Sequence, residues 1–144
     1  MSDSKLFGLR VSGDRVDVSW RGRWEETTAE DYAKALTEAY AAGKVRHLVV
    51  DATELDYCSI LARGRLADLQ TQLKSKHERC AYVASSARMR GLCLWIIQVA
   101  EDENARACAR VEEVREWLQS TEGRVERAKR RTGSAFDRIR AGEK

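Results

Sequence analysis

The chain has 144 residues, the size of one ordinary domain with a single core. Hydrophobic residues make up 43% and charged residues 34%, which places a compact core under a heavily charged shell, and no stretch approaches the ~18 apolar residues of a membrane span. The formal charge of +3 is too small to imply a nucleic-acid partner, and it is unevenly placed: residues 121–144 hold eight Lys or Arg against four Asp or Glu.

The opening MSDSKLFG lacks the basic region and apolar run of a secretory signal, so a cytoplasmic protein is expected. Two strands follow, Lys5 to Val11 and Arg15 to Trp20. In the second, Val16, Val18 and Trp20 alternate with Asp17 and Ser19, and Ser12, Gly13 and Asp14 supply the turn of an antiparallel hairpin. Thr27 or Thr28 is placed to cap a first helix from about Ala29 to Ala42, with Tyr32, Leu36 and Tyr40 at helical spacing. His47 to Asp51 is a nearly continuous apolar run, the pattern of a strand covered on both faces, and it predicts the centre of the sheet.

After Asp51 the stretch ATELDYCS reads as a loop. Ser59 is placed to cap a second helix whose apolar face is Ala62, Leu66, Leu69 and Leu73. Arg79 to Ala84 is a further apolar strand, and Ser85 or Ser86 introduces a third helix carrying Met89, Leu92, Cys93, Ile96, Ile97 and Ala100. This helix is apolar over much of its circumference, which predicts a largely buried one. Ala105 to Val111, broken by Arg106 and Arg110, suits an edge strand, and Val114, Trp117 and Leu118 lie on one face of a fourth helix. The order ββαβαβαβα predicts an α/β domain, a four- or five-stranded mixed sheet with an N-terminal hairpin and helices packed on it, over residues 1–120. Residues 121–144 read as a basic extension, partly helical or disordered.

Catalytic and metal chemistry find little support. Cys58, Cys80, Cys93 and Cys108 form no CxxC pair and read as reduced, structural thiols, so neither a metal nor a cofactor is expected. His47 enters the central strand and His77 lies at a helix-to-strand junction, positions that suit structural or solvent-facing rings rather than general acid/base work. Gly64 and Gly91 sit inside helix patterns with no phosphate-binding motif around them.

The run LVVDATELDYCSILARGRLADL, Leu48 to Leu69, resembles the core of STAS domains, the fold shared by bacterial anti-anti-sigma factors and sulfate-transporter tails. ACARVEEVREWL, Ala107 to Leu118, resembles the final strand and helix of a divergent STAS-like group whose last helix carries a Trp-Leu pair. The similarity spans roughly residues 5 to 120. It implies a regulatory, non-enzymatic module for signal transduction that binds a protein through the loop from Thr53 to Ser59 and the start of the second helix, including Asp56, Tyr57 and Arg63. In the family that helix begins with a phosphorylatable serine or threonine. Aligning Asp51 with the family's strand-end aspartate puts Ile60 on the acceptor position and Ser59 just before it, so the usual phosphoacceptor is missing. A one-residue slip makes Ser59 the phosphoacceptor instead.

Two further expectations come from other features. Trp20 and Trp24 bracket Arg21 and Arg23 in WRGRW, and one ring is expected on the surface of the hairpin, where it would contact a partner or build a homodimer. The apolar third helix suggests an alternative function, the carrier or sensor of a lipid or other apolar small ligand. Nucleic acid and membrane are not expected partners, because acidic residues are mixed into the basic extension.

Overall fold

The computed structural model describes residues 6–120, so the basic extension expected over 121–144 lies outside the described residues. By internal packing the chain divides into Met1–Val114 and Arg115–Lys144. The first unit carries five strands and three helices: β1 (Phe7–Ser12), β2 (Arg15–Trp24), α1 (Glu26–Ala42), β3 (His47–Cys58), α2 (Ile60–Leu73), β4 (Arg79–Val83), α3 (Ala87–Ala100) and β5 (Ala105–Cys108). A fourth helix, α4 (Val111–Gln119), begins in it.

The sheet order is β1-β2-β3-β4-β5. β1 and β2 form the expected antiparallel hairpin, turned at Gly13 with φ 63, and β2 to β5 run parallel. This is a five-stranded mixed sheet with β3 at its centre and β5 at an edge. α1 packs on α2 and α2 on α3, so the three crossover helices line one face with their N-termini at the carboxyl edge of the parallel strands. Beneath them lie Val16, Val18, Leu48, Val50, Cys80 and Tyr82, while Val49, Ala81 and Val83 point the other way and are also buried. Burial on both faces is what allows the apolar runs of β3 and β4.

Several local expectations are corrected. Both tryptophans of the hairpin belong to the core: Trp20 is 1% exposed and Trp24 0%. They meet at 5.1 Å between ring centroids and pack with Phe7 and Tyr32, and the Trp24 indole N–H donates to the carbonyls of Leu6 and Arg21 at 3.1 Å. Neither ring is available to a partner or a second copy in this structure. α1 starts earlier than expected, at Glu26 after an N-cap Glu25 that makes no side-chain cap, and Thr28 is buried inside it. β5 ends at Cys108, three residues short of Val111, which opens α4.

The stretch read as a loop is strand. β3 runs on to Cys58, and beyond Asp51, where its pairing with β4 ends, it continues against β2 alone. The register shows why. Ser19 pairs with Asp51 and Arg21 with Glu54, then Gly22 with Leu55 and Arg23 with Tyr57, so β3 carries one extra residue at each of two bulges. The bulges put Ala52, Leu55 and Cys58 inward at intervals of three rather than two. Lastly, α3 buries Met89, Leu92, Cys93, Ile96, Ile97 and Ala100 but leaves Leu94, Trp95 and Val99 exposed. It is apolar all round because it has a core face and an uncovered apolar face.

Candidate functional site

The carboxyl edge of the sheet gathers the bulged end of β3 and the first turns of α1, α2 and α3. Ser59 caps α2, its Oγ accepting from the Ala62 N–H at 3.1 Å, and Ser86 caps α3 in the same way through the Met89 N–H. The Asp51 carboxylate accepts from the Thr53 N–H at 3.0 Å and from the Thr53 hydroxyl, which fixes the first bulge. Farther along, the Arg23 guanidinium lies 4.2 Å from the centre of the Tyr57 ring. Of the residues assigned to a partner face, Thr53, Asp56 and Arg63 are exposed and Tyr57 and Ser59 half-buried; all lie on this edge.

The sequence reading missed what stands beside them. Ile60 is 81% exposed and Leu61 64% exposed in the first turn of α2. Ile60 forms a ridge between two open recesses. On the α1 side, a recess of about 420 Å³ is lined by Glu25, Glu26, Thr27, Tyr57 and Ser59. On the α3 side, a groove of about 550 Å³ is lined by Arg63, Arg88, Met89, Leu92 and Trp95, with Gly91 at its wall. The Arg63 Nε donates to the Cys58 carbonyl at 2.9 Å, which holds that guanidinium at the rim. The edge is therefore electrically divided, acidic beside Ser59 and basic beside Trp95. A helix surface alternating apolar and polar would have betrayed Trp95, but in α3 the apolar residues run round the whole helix.

A second polar cluster lies toward the amino ends of β4 and β5. The Asp102 carboxylate accepts from His77 Nε2 at 2.9 Å, from Gln70 Nε2 at 2.8 Å and from the Asn104 N–H at 2.9 Å. The other ring nitrogen, Nδ1, is hydrogen-bonded to the Tyr40 hydroxyl at 2.7 Å, and the Tyr82 hydroxyl donates to Gln70 Oε1. Burial opposes ionisation of Asp102, yet the His77 and Gln70 hydrogen bonds, the His77 charge and the Asn104 N–H together hold its carboxyl below the usual range. Tyr, His and Asp in line could relay a proton, but the side chains of His77 and Asp102 are 0% and 1% exposed. No substrate reaches them in this structure, and the cluster joins α1, α2, β4 and the loop before β5.

All four cysteines are free and buried. Burial pushes Cys58 up to about 11 and Cys93 up to about 12, well away from a reactive thiolate. Among the described residues no three His, Cys, Asp or Glu side chains are grouped to hold a metal ion, and no helix is long and apolar enough to cross a membrane.

No family model and no curated protein matches the sequence. Solved structures do match. An uncharacterized protein of the DUF3478 family with a SpoIIAA-like fold, from Shewanella loihica PV-4, is 20% identical over 78% of this chain and 91% of its own, with a TM-score of 0.56. The unphosphorylated anti-sigma factor antagonist SpoIIAA is 15% identical over 78% of this chain and 96% of its own, at 0.59. An anti-sigma factor antagonist from Mycobacterium paratuberculosis is 17% identical over 79% and 93%, at 0.60. With a five-stranded mixed sheet and four α-helices among the described residues, this chain therefore has the SpoIIAA-like, or STAS, fold that its sequence resembles.

Proposed function

We propose that this chain is a cytoplasmic, non-enzymatic regulatory module of bacterial signalling, and that it docks a protein partner through the carboxyl edge of its sheet. The observation that carries the reading is the exposed Ile60–Leu61 pair in the first turn of α2. Two large aliphatic side chains held out to water on a helix start, with Arg63, Tyr57 and Glu26 around them, have the composition of an interface anchor with a polar rim. The likeness to anti-sigma factor antagonists supports a protein as the partner.

Binding is constitutive on this reading. Ile60 replaces the usual acceptor, and a phosphate on Ser59 would enter a recess already lined by Glu25 and Glu26, whose like charge opposes it. The test is to cross-link and capture partners from the native host with the wild-type chain and with an Ile60→Asp, Leu61→Asp variant, mapping cross-links and phosphosites by mass spectrometry. The variant is expected to keep its thermal midpoint, since both side chains are exposed, and to lose the partner cross-linked near α2. Retention of that partner, or abundant phosphate on Ser59, overturns the reading.

A further inference from the structure

The groove between α2 and α3 holds more information than the ridge beside it. Its walls are apolar at Ile60, Leu92 and Trp95 and cationic at Arg63 and Arg88. Arg88 has no ion pair among the described residues, α3 contains no Asp or Glu, and Asp68 is the single acid of α2. The apolar stripe continues along α3 through Trp95, 42% exposed, to Val99, 51% exposed. From Arg88 to Val99 it is about 16 Å long, three helical turns.

Gly91 sits about one turn into this stripe. Its φ is not in the left-handed region, and a Cβ built on it meets nothing within 4 Å. The fold therefore has no need of a glycine there, although glycine is a poor residue for a helix interior. What its missing side chain provides is a notch through which another backbone can approach α3 closely.

Resting on the reading of this edge as a protein-docking site, we propose that the groove seats an acidic amphipathic helix of the partner. Its backbone passes over Gly91, its apolar side chains lie against Ile60, Leu92 and Trp95, and its carboxylates meet Arg63 and Arg88. The charge of the groove selects the sign of the partner, and the notch and the three-turn stripe select a helix.

The experiment uses the full chain and a fluorescein-labelled synthetic helix with leucines along one stripe and glutamates elsewhere, together with a twin in which lysines replace the glutamates. Binding is followed by anisotropy and mapped by backbone and indole amide shifts. The acidic helix is expected to bind roughly tenfold or more tightly than its basic twin, with shifts centred on Gly91 and the Trp95 indole. Gly91→Gln, which fills the notch without strain, should weaken it by a similar factor while leaving the thermal midpoint unchanged or raised, and Arg88→Glu should remove the preference for the acidic twin.

Equal binding of the twins, or undiminished binding to the folded Gly91→Gln variant, overturns the proposal. So does binding of phosphatidylglycerol vesicles at these residues without binding of the acidic helix. If the acidic helix fails while the Ile60→Asp, Leu61→Asp variant still loses its cross-linked partner, the docking site stands and this occupant falls. If that variant keeps its partner, Ile60, a wall of the groove as well as the ridge, is not where the partner docks, and the proposal falls together with the docking site.

Discussion

At Gly22 the backbone takes φ +75, between the two bulges, and a Cβ there would lie 2.9 Å from the end of the Leu6 side chain. Leucine can swing aside, so the cost of a side chain is mainly the left-handed backbone. Gly91 and Gly64 have neither constraint: both lie inside helices, with nothing within 4 Å of a Cβ. Gly22→Ala should therefore destabilise the fold by about 1–2 kcal/mol, whereas Gly91→Ala or Gly64→Ala should stabilise it by up to about 1 kcal/mol. Urea denaturation measures all three. A Gly22→Ala variant as stable as wild type would mean that the bulged ribbon is free to relax.

The helices were legible where a cap and a 3.6-residue spacing agreed, as with Ser59 before α2 and Ser86 before α3. β2 is legible in the sequence beyond Trp20. Val16, Val18, Trp20 and Trp24 all occupy even positions and all are buried, so extending the alternation past Trp20 would have placed Trp24 in the core. The second half of β3 was not legible, because its two bulges break the period by which a strand is recognised. The cap that opens α2 can be tested directly. Ser59→Ala removes the acceptor for the Ala62 N–H and should cost about 1 kcal/mol. Ser59→Asp keeps an acceptor at that position and should stay near wild-type stability. Equal loss in both variants would show that Glu25 and Glu26 repel charge here strongly enough to cancel the cap.

On the scale of the whole molecule, the feature hardest to read in advance is the buried cluster that ties α1, α2, β4 and the β5 approach together. His77 and Asp102 are 25 residues apart, and neither local spacing nor hydropathy brings them to Gln70, Tyr40 or Tyr82; the packing of three helices on one sheet face does. Every group hydrogen-bonded to the Asp102 carboxylate can act as its donor: His77 Nε2 and Gln70 Nε2 at one oxygen, the Asn104 N–H at the other. Asp102→Asn must then turn its own NH₂ toward a donor whichever way the amide faces, and it should cost roughly 1–3 kcal/mol near pH 7.

The pH dependence gives this effect its signature. The folded carboxyl titrates below its unfolded value of about 3.9. Its contribution is therefore present above that value and lost as pH falls through the folded pKa. Groups remote from the cluster are the same in both proteins and cancel in the difference, and the neighbouring Tyr40, Cys80 and Tyr82 remain neutral throughout, their own titrations pushed up by burial. The stability gap between wild type and Asp102→Asn should accordingly narrow as pH is lowered below about 4. A gap that stays constant from neutral pH to pH ~2.5 would mean that shape alone, not the charge on Asp102, holds the cluster together.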